Sequence, residues 1–245
     1  GMEALETKLD VIANNMANAG TTGFKRSRVN FEDLFYEHLK LPGVQDSAGR
    51  LTPVGVSVGV GARVQSTDLD HGQGSLLETQ QPYDMAIVGE GFFQIQDGSE
   101  ILYTRAGNFT KNSNGEIVLA SSDRGRLLEP AITIPDTAVE VSITSEGVIS
   151  FRTQGSPDLT EVGQLQTVRF INPKGLLQVG ENLFAATTAS GDAQIGTPGT
   201  DGLGAIRSGF LEASNVEPVK ELIDLIKTQR NVELNSQVVQ ASDQL

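Results

Sequence analysis

The residues to weigh first are those able to act as nucleophile, base or metal ligand. Gly55-Val-Ser57-Val-Gly59 fits the G-x-S-x-G spacing that exposes a nucleophilic serine on a sharp strand-to-helix turn. Ser57, however, sits inside the alternation PVGVSVGVGARV, which predicts an extended strand and no elbow. The only histidine after it, His71, follows too soon to leave room for the rest of such a fold. His38 and His71 are the only histidines, lack the spacing of a zinc site, and are expected to face solvent. Asp68-Leu-Asp70-His-Gly72 begins like a calcium loop, then departs from the pattern and lacks the closing glutamate, so an acidic turn at a strand end is expected. Gly72-Gln-Gly74 and Gly89-Glu-Gly91 lack the third glycine, following helix and nearby cation of a phosphate loop and read as turns or bulges. Asn108-Phe109-Thr110 is a glycosylation sequon within a strand or turn. With no cysteine there is no thiolate, disulfide or cysteine zinc site. These residues predict no catalytic, cofactor-binding or metal-binding site, and a protein that is not an enzyme.

Composition narrows the partners. The 18 basic residues against 31 acids give a formal charge of −13, which opposes binding to nucleic acid or to an anionic membrane surface. No apolar run reaches the ~20 residues that span a bilayer, so membrane insertion is not expected. No basic segment followed by an apolar core marks an ordinary secretory signal. The chain opens at Gly1-Met2 already in a helical pattern and closes at Leu245 in another, so further helix is expected beyond both.

Met2, Leu5, Leu9, Ile12, Met16 and Ala19 recur at three- and four-residue steps, predicting a helix that stops near Ala19, ahead of Gly20 and Gly23. A second helix follows Ser214 or Asn215, either of which can cap it, with Pro218 in its first turn. It carries two apolar stripes, Val219, Leu222, Ile223 and Ile226 on one side and Leu225, Val232 and Val239 on another, which suggests more than one neighbour. Between the helices the period falls to two. Strand-like runs include DMAIV, FFQIQ, ILYTR, GEIVLA, AITIP, VEVSIT, VISF, VGQLQTVRFI, NLFAA and IRSGFLEA, with Asp97-Gly98, Asn114-Gly115 and Glu146-Gly147 placed as hairpin turns. Phe92-Phe93 is expected to straddle its sheet with one ring buried. FEDLFYEHLK can begin as helix, and LPGVQDSAGRLTP reads as loop. The fold class is therefore mainly β: helix and turn over 1–30, an extended arm over 31–65, an all-β domain over 66–213, and a C-terminal helix over 214–245.

Asn14, Asn15 and Asn18 end the first helix although asparagine is a poor helix former. Spaced three and four apart, Asn18 neighbours both others on one face, where amides can donate and accept across a helix contact and set its register. A fraying last turn would tolerate the same residues. So short a helix is marginal alone and needs partners for its stripe; paired terminal helices around a β domain point to a chain that assembles, its two ends satisfied only among identical copies.

At these residues a resemblance becomes specific. DVIANNMANAGTTGFKRSRVNFEDL resembles the N-terminal signature of bacterial flagellar axial proteins, the rod and hook family; PYDMAIVGEGFFQI, YTRAGNFTKNSNGEIVLA and EPAITIP resemble its β-domain blocks in order, and SNVEPVKELIDLIKTQRNVELNSQVVQASDQ its C-terminal helix. The resemblance covers essentially the whole chain. Within the family, FEDLFYEHLKLPGVQDSAGRLTPVGVSVGVGARV resembles the long segment of distal rod members. It implies a structural subunit that self-assembles into a straight hollow drive shaft, helices forming an inner tube around an export channel, β domains an outer layer, and the arm stiffening the result. Asn14, Asn15, Asn18, Gly23 and Phe24 match the N-terminal motif, and Gln229, Arg230, Glu233, Asn235 and Ser236 the C-terminal one; with Leu5, Leu9, Ile12, Met16, Leu222 and Ile226 these form the implied assembly interface. The family's Tyr after Gln-Arg is replaced here by Asn231-Val232. Implied partners are further copies, adjacent rod and hook subunits and the surrounding bushing rings; the implied place is the flagellar basal body in the cell envelope, reached by export without a cleaved signal; no cofactor is implied. A proximal rod or hook subunit is the alternative within the family. Outside it stands a non-catalytic β-domain binding module with a helical dimer clamp, disfavoured as a sugar platform by the lack of tryptophan and the three tyrosines.

Overall fold

In a computed structural model, residues 2–40, 54–120 and 124–243 are described. The chain forms two compact units: Gly1–Ala17, Ser27–Leu69 and Glu217–Leu245 make the first, and Asn18–Arg26 with Asp70–Val216 the second.

The first unit holds helix α1 (Met2–Ala17), a bent ribbon and helix α2 (Pro218–Asp243). The ribbon runs out along β1 (Ser27–Asp33) and β2 (Tyr36–Lys40) and returns along β3 (Val56–Gly59) and β4 (Ala62–Leu69), with β1 paired antiparallel to β4 and β2 to β3. Its bend is bridged by Leu34 N–H donating to the Gly61 carbonyl (2.8 Å) and Val60 N–H to the Phe35 carbonyl (3.2 Å). FEDLFYEHLK is thus strand, not helix: its residues find cross-strand partners in the valine-rich segment, and ladder pairing overrides a weak local helix preference. The valine alternation is likewise two strands, divided at Gly61, whose φ of +127° only glycine adopts without strain. The loop predicted over LPGVQDSAGRLTP lies outside the described residues.

The second unit is all β. After β5 (Leu76–Glu78) and β6 (Met85–Val88), β7 (Phe92–Asp97) and β8 (Glu100–Thr104) form a hairpin closed at Asp97-Gly98. The hairpin of β9 (Phe109–Lys111) and β10 (Ile117–Leu119) contains Asn114-Gly115, and β11 (Leu127–Glu129) pairs with both β10 and β7. Three strands, β12 (Ala138–Ile143), β13 (Val148–Thr153) and β14 (Thr160–Gln164), make a separate meander whose first turn is Glu146-Gly147. Then β15 (Thr167–Arg169) pairs with β7, β16 (Leu177–Gly180) and β17 (Leu183–Ala185) extend the large sheet beyond β8, and β18 (Gln194–Gly196) pairs with β15. Finally β19 (Ala205–Ser208) pairs with β6 and β20 (Phe210–Glu212) with β5. All three predicted turns have glycine at positive φ, as tight hairpin turns require. AITIP contributes only the isolated bridge of Thr133 with Glu116. VGQLQTVRFI and IRSGFLEA are each two strands, the latter divided at Gly209 (φ +75°).

The core lies in this unit around Met85, Ile87, Phe93, Ile95, Ile117, Leu128, Ile134 and Ile149. Phe92 and Phe93 do point into different environments, but both rings are buried. Phe93 meets Phe109 edge to face at 5.2 Å, while Phe92 packs among His71, Phe170 and Phe184. The expected straddling holds, and the second ring is buried as well because both faces of this sheet are covered.

Candidate functional site

Two arrangements stand out, one in each unit. In the first, α2 has the reverse of a normal amphipathic burial. Glu221 is fully buried and Thr228 1 % exposed, whereas Leu222, Ile223 and Ile226 are 46–48 % exposed and Val219 72 %. Leu225 and Val232 are half-buried. One turn of helix separates members of each set, so the side facing α1 carries Glu221, Leu225, Thr228 and Val232, and the other side presents branched aliphatic side chains to solvent. Further along, Ile226, Gln229, Arg230, Glu233, Leu234 and Gln237 line a groove of about 360 Å³.

Asn15 explains the buried polar side. It is 1 % exposed; its Nδ2 donates to the Ser27 carbonyl (2.8 Å) and to Glu221 Oε2 (3.2 Å), and its Oδ1 accepts from Ser27 N–H (2.9 Å). One amide therefore pairs with both backbone groups of Ser27, at the start of β1, and reaches α2. Because an unpartnered buried amide or carboxylate is costly, sliding α2 along α1 by one turn is strongly disfavoured. Ala4 and Ile12 are buried in the same unit, so part of the α1 stripe is satisfied within a single chain; the expectation that neither end is satisfied alone is corrected for α1, where α2 and the ribbon base supply neighbours.

In the second unit the turn 18–26 is held by buried charge. Thr21 N–H donates to the Asn18 carbonyl (3.1 Å) and its hydroxyl to Asn18 Oδ1 (3.2 Å), which turns the chain beyond α1. Lys25 Nζ donates to Glu212 Oε1 (2.6 Å) and to the Gly72 carbonyl (2.8 Å). Glu212 Oε1 also accepts from Gly74 N–H (2.9 Å), and Arg105 approaches Oε2 at 3.5 Å. The side chains of Lys25 and Glu212 are 1 % and 0 % exposed and that of Arg105 5 %. Burial pulls the Lys25 pKa below its ordinary value, with Glu212 opposing the shift. Burial lowers Arg105 in the same way, against the pull of Glu212. Gly23, at φ +69°, fits under the neighbouring strand end: a Cβ there would lie 2.6 Å from the Ala106 backbone nitrogen. Asn215 does not cap α2; its Oδ1 accepts from Arg26 N–H (2.7 Å) and its Nδ2 donates to the Asp70 and Gly72 carbonyls, while Ser214 turns the chain by accepting from Val216 N–H.

Family models cover three stretches in the order of these elements. Residues 1–25 match the flagella basal body rod protein family, 86–151 the flagellar hook protein FlgE/F/G D1 domain, and 207–245 the flagellar basal body rod FlgEFG protein C-terminal region. The whole chain is 42 % identical to the flagellar basal-body rod protein FlgG of Agrobacterium fabrum, spanning 93 % of that protein. The chain belongs to the flagellar rod and hook family. Similarity to the FlgG of Caulobacter vibrioides is 41 % over all of this chain and 93 % of that one; to the FlgF of the same organism it is 34 % over 94 % of this chain and 84 % of that one.

In this family member the motif residues divide between the units. Asn15 is a buried connector, Asn14 is exposed, Asn18 and Gly23 shape the turn, and Phe24 is half-buried. Leu5, Leu9 and Met16 are half-buried; Gln229, Arg230, Glu233 and Asn235 are exposed and Ser236 half-buried. Ser57 lies in β3 with His38 opposite it in register, both exposed, so the G-x-S-x-G match is a strand. Asp70 Oδ1 accepts from Gly72 N–H (2.9 Å), forming the expected turn at the end of β4. His71 departs from expectation. Its ring meets Phe92 and Phe184 edge-on, and burial, then the Lys25 and Arg105 charges, pull its pKa from 6.5 to about 4, with the Pro173 backbone and Asp70 acting weakly the other way. No motif in the sequence marks Glu212, Arg105, Glu221 or Thr228. The available signal was a charged or polar residue inside an otherwise apolar run, as Glu212 is in GFLEA.

Replacing Glu212 with Ala strands two buried cations and is expected to cost about 3 to 5 kcal/mol. Lys25→Met, which leaves the Arg105–Glu212 pair, should cost clearly less; urea unfolding of both variants checks the order. His71 remains neutral in the folded chain while the unfolded chain takes up a proton, so its contribution is fully present above pH 6.5 and is lost as pH falls towards about 4. His71→Phe should flatten that acid-side loss of urea midpoint relative to the parent chain.

Proposed function

We propose that this chain is a non-enzymatic structural subunit of the distal flagellar rod, and that copies meet through the solvent-facing aliphatic side of α2. The observation that carries this reading is the inverted burial of that helix: Leu222, Ile223 and Ile226 stay half in water while Glu221 is enclosed. Several adjacent branched side chains left exposed on one face forgo roughly 1 to 2 kcal/mol each, which a neighbouring copy recovers. The groove beside Arg230 and Glu233 supplies polar groups for register at the same face. The FlgG relatives are more similar than the FlgF relative from the same organism, which supports the distal assignment over a proximal one. Partners on this reading are further copies, the adjacent rod and hook subunits and the surrounding bushing rings; the place is the basal body, reached by export without a cleaved signal. The ribbon bend, with Phe35 90 % and Val60 67 % exposed, supports a stiffening role for the arm in contact with neighbours.

The test is Leu222→Asp combined with Ile226→Asp in the full-length protein. Both positions are exposed in the single chain, so circular dichroism and the urea midpoint should barely change. Rod assembly and swimming should be lost. Intact rods of normal length carrying the double variant would overturn the proposed surface.

A further inference from the structure

If copies meet through the outward side of α2, as proposed above, that side needs a counterpart. A face that meets its own equivalent closes a two-fold pair, whereas an open filament of identical copies is built from heterologous contacts, one surface of each copy seated on a different surface of the next. The counterpart therefore lies elsewhere on the chain. Outside α2, the outer half of the ribbon holds the densest run of exposed apolar side chains among the described residues, Val54, Val56, Val58 and Val60 included. Every residue of β3 is exposed, and Leu39 in β2 is 66 % exposed. A two-stranded ribbon without a core of its own is marginal in water. Its two faces differ. On one, a Tyr36 ring carbon lies 3.3 Å from where a Gly59 Cβ would stand, and His38 is opposite Ser57. On the other, Val58 is opposite Glu37, and Val56, two residues away along β3, shares the same side.

Size and charge match this valine face to α2. From Val56 to Val60 an extended chain covers ~13 Å, and from Leu222 to Arg230 a helix rises ~12 Å. Arg230 stands one turn beyond Ile226 on the outward side, and Glu233 lines the groove with it. Among the described residues none is ion-paired to Arg230, Glu233 or Glu37, and all three are exposed. Along the solvent-facing part of α2, Lys220, Lys227 and Arg230 stand against Asp224 and Glu233, a surplus of one positive charge. The ribbon carries Glu37 opposite Val58 and Lys40 opposite Val56, so it is neutral there. Charge therefore does not oppose the contact, and the acid of the ribbon has a base to meet. We infer that the outward side of α2 in one copy seats on the valine face of the β2–β3 ribbon in the next, with Arg230 of the helix paired to Glu37 of the ribbon.

The test uses the full-length protein. Chains carrying Ile223→Cys and chains carrying Val58→Cys are co-assembled and treated with a short bismaleimide. Both positions are exposed in the single chain, so circular dichroism should be unchanged. A cross-linked pair with one chain of each kind should appear in rods and not in the dispersed mixture, and rods of Ile223→Cys alone should give none. Without the cysteines, Arg230→Glu alone and Glu37→Arg alone should each cut the yield of rods about tenfold, because like charges then face each other, and the double exchange should restore it. Position 223 protected from alkylation in rods, yet joined only to itself or to a cysteine at the exposed Leu177 of β16, would overturn the contact. So would single reversals without effect, or a double exchange no better than either reversal. These outcomes leave the α2 reading intact. Alkylation of position 223 as fast in rods as in the dispersed chain would instead remove that reading and this contact together.

Discussion

The hydrogen bond from Asn15 to Glu221 is the constraint on which the helical unit depends. A carboxylate enclosed between two helices is tolerable only with good partners, and Asn15 reaches it while pairing with the Ser27 backbone. That fixes which side of α2 faces α1. Leu222, Ile223 and Ile226, on the other side of the helix, are consequently turned outward, where a conventional helix pair would have buried them. A polar contact inside the chain thus sets an apolar contact outside it, and a sticky surface is presented in one rotational setting.

The β unit solves a different problem by similar means. Its turn 18–26 has little apolar side-chain mass to bury, and it is fastened by Lys25 to Glu212, which also takes Gly74 N–H and the flank of Arg105. Such a cluster contributes little net stability against a well-packed apolar replacement, but breaking one member leaves the others uncompensated. It therefore favours one geometry of the turn over others. Gly23 acts in the same sense sterically, since only a residue without Cβ fits beside Ala106 in that conformation.

Much of this was legible in the sequence because it rested on period and on turn chemistry. The three- and four-residue spacing from Met2 to Met16 and the proline at 218 located both helices; the Asp-Gly, Asn-Gly and Glu-Gly pairs located three hairpins. The arm was harder. FEDLFYEHLK has no decisive local period, and its strand state comes from a pairing partner more than 20 residues away in sequence, as in Tyr36 opposite Gly59. Local sequence places His71 in solvent, whereas two phenylalanines distant in the chain, Phe92 and Phe184, enclose it. The spacing of Asn15 marks it as a register residue, yet its acceptor Glu221 lies 206 residues on, and no local pattern distinguishes a buried glutamate in a helix from a solvated one. The two apolar stripes of α2 were visible, but which of them faces outward is decided only by where Glu221 goes.

Because the chain contains no cysteine, Ile226→Cys places a single reporter thiol on the outward side of α2. The most direct measurement is its alkylation rate in dispersed full-length chain and in assembled rods. The account predicts rapid labelling of the dispersed chain and strong protection on assembly, with a cysteine at the exposed Val139 of the β unit serving as the reference position. Labelling of position 226 at the same rate in both states would contradict the claim that copies meet on this face.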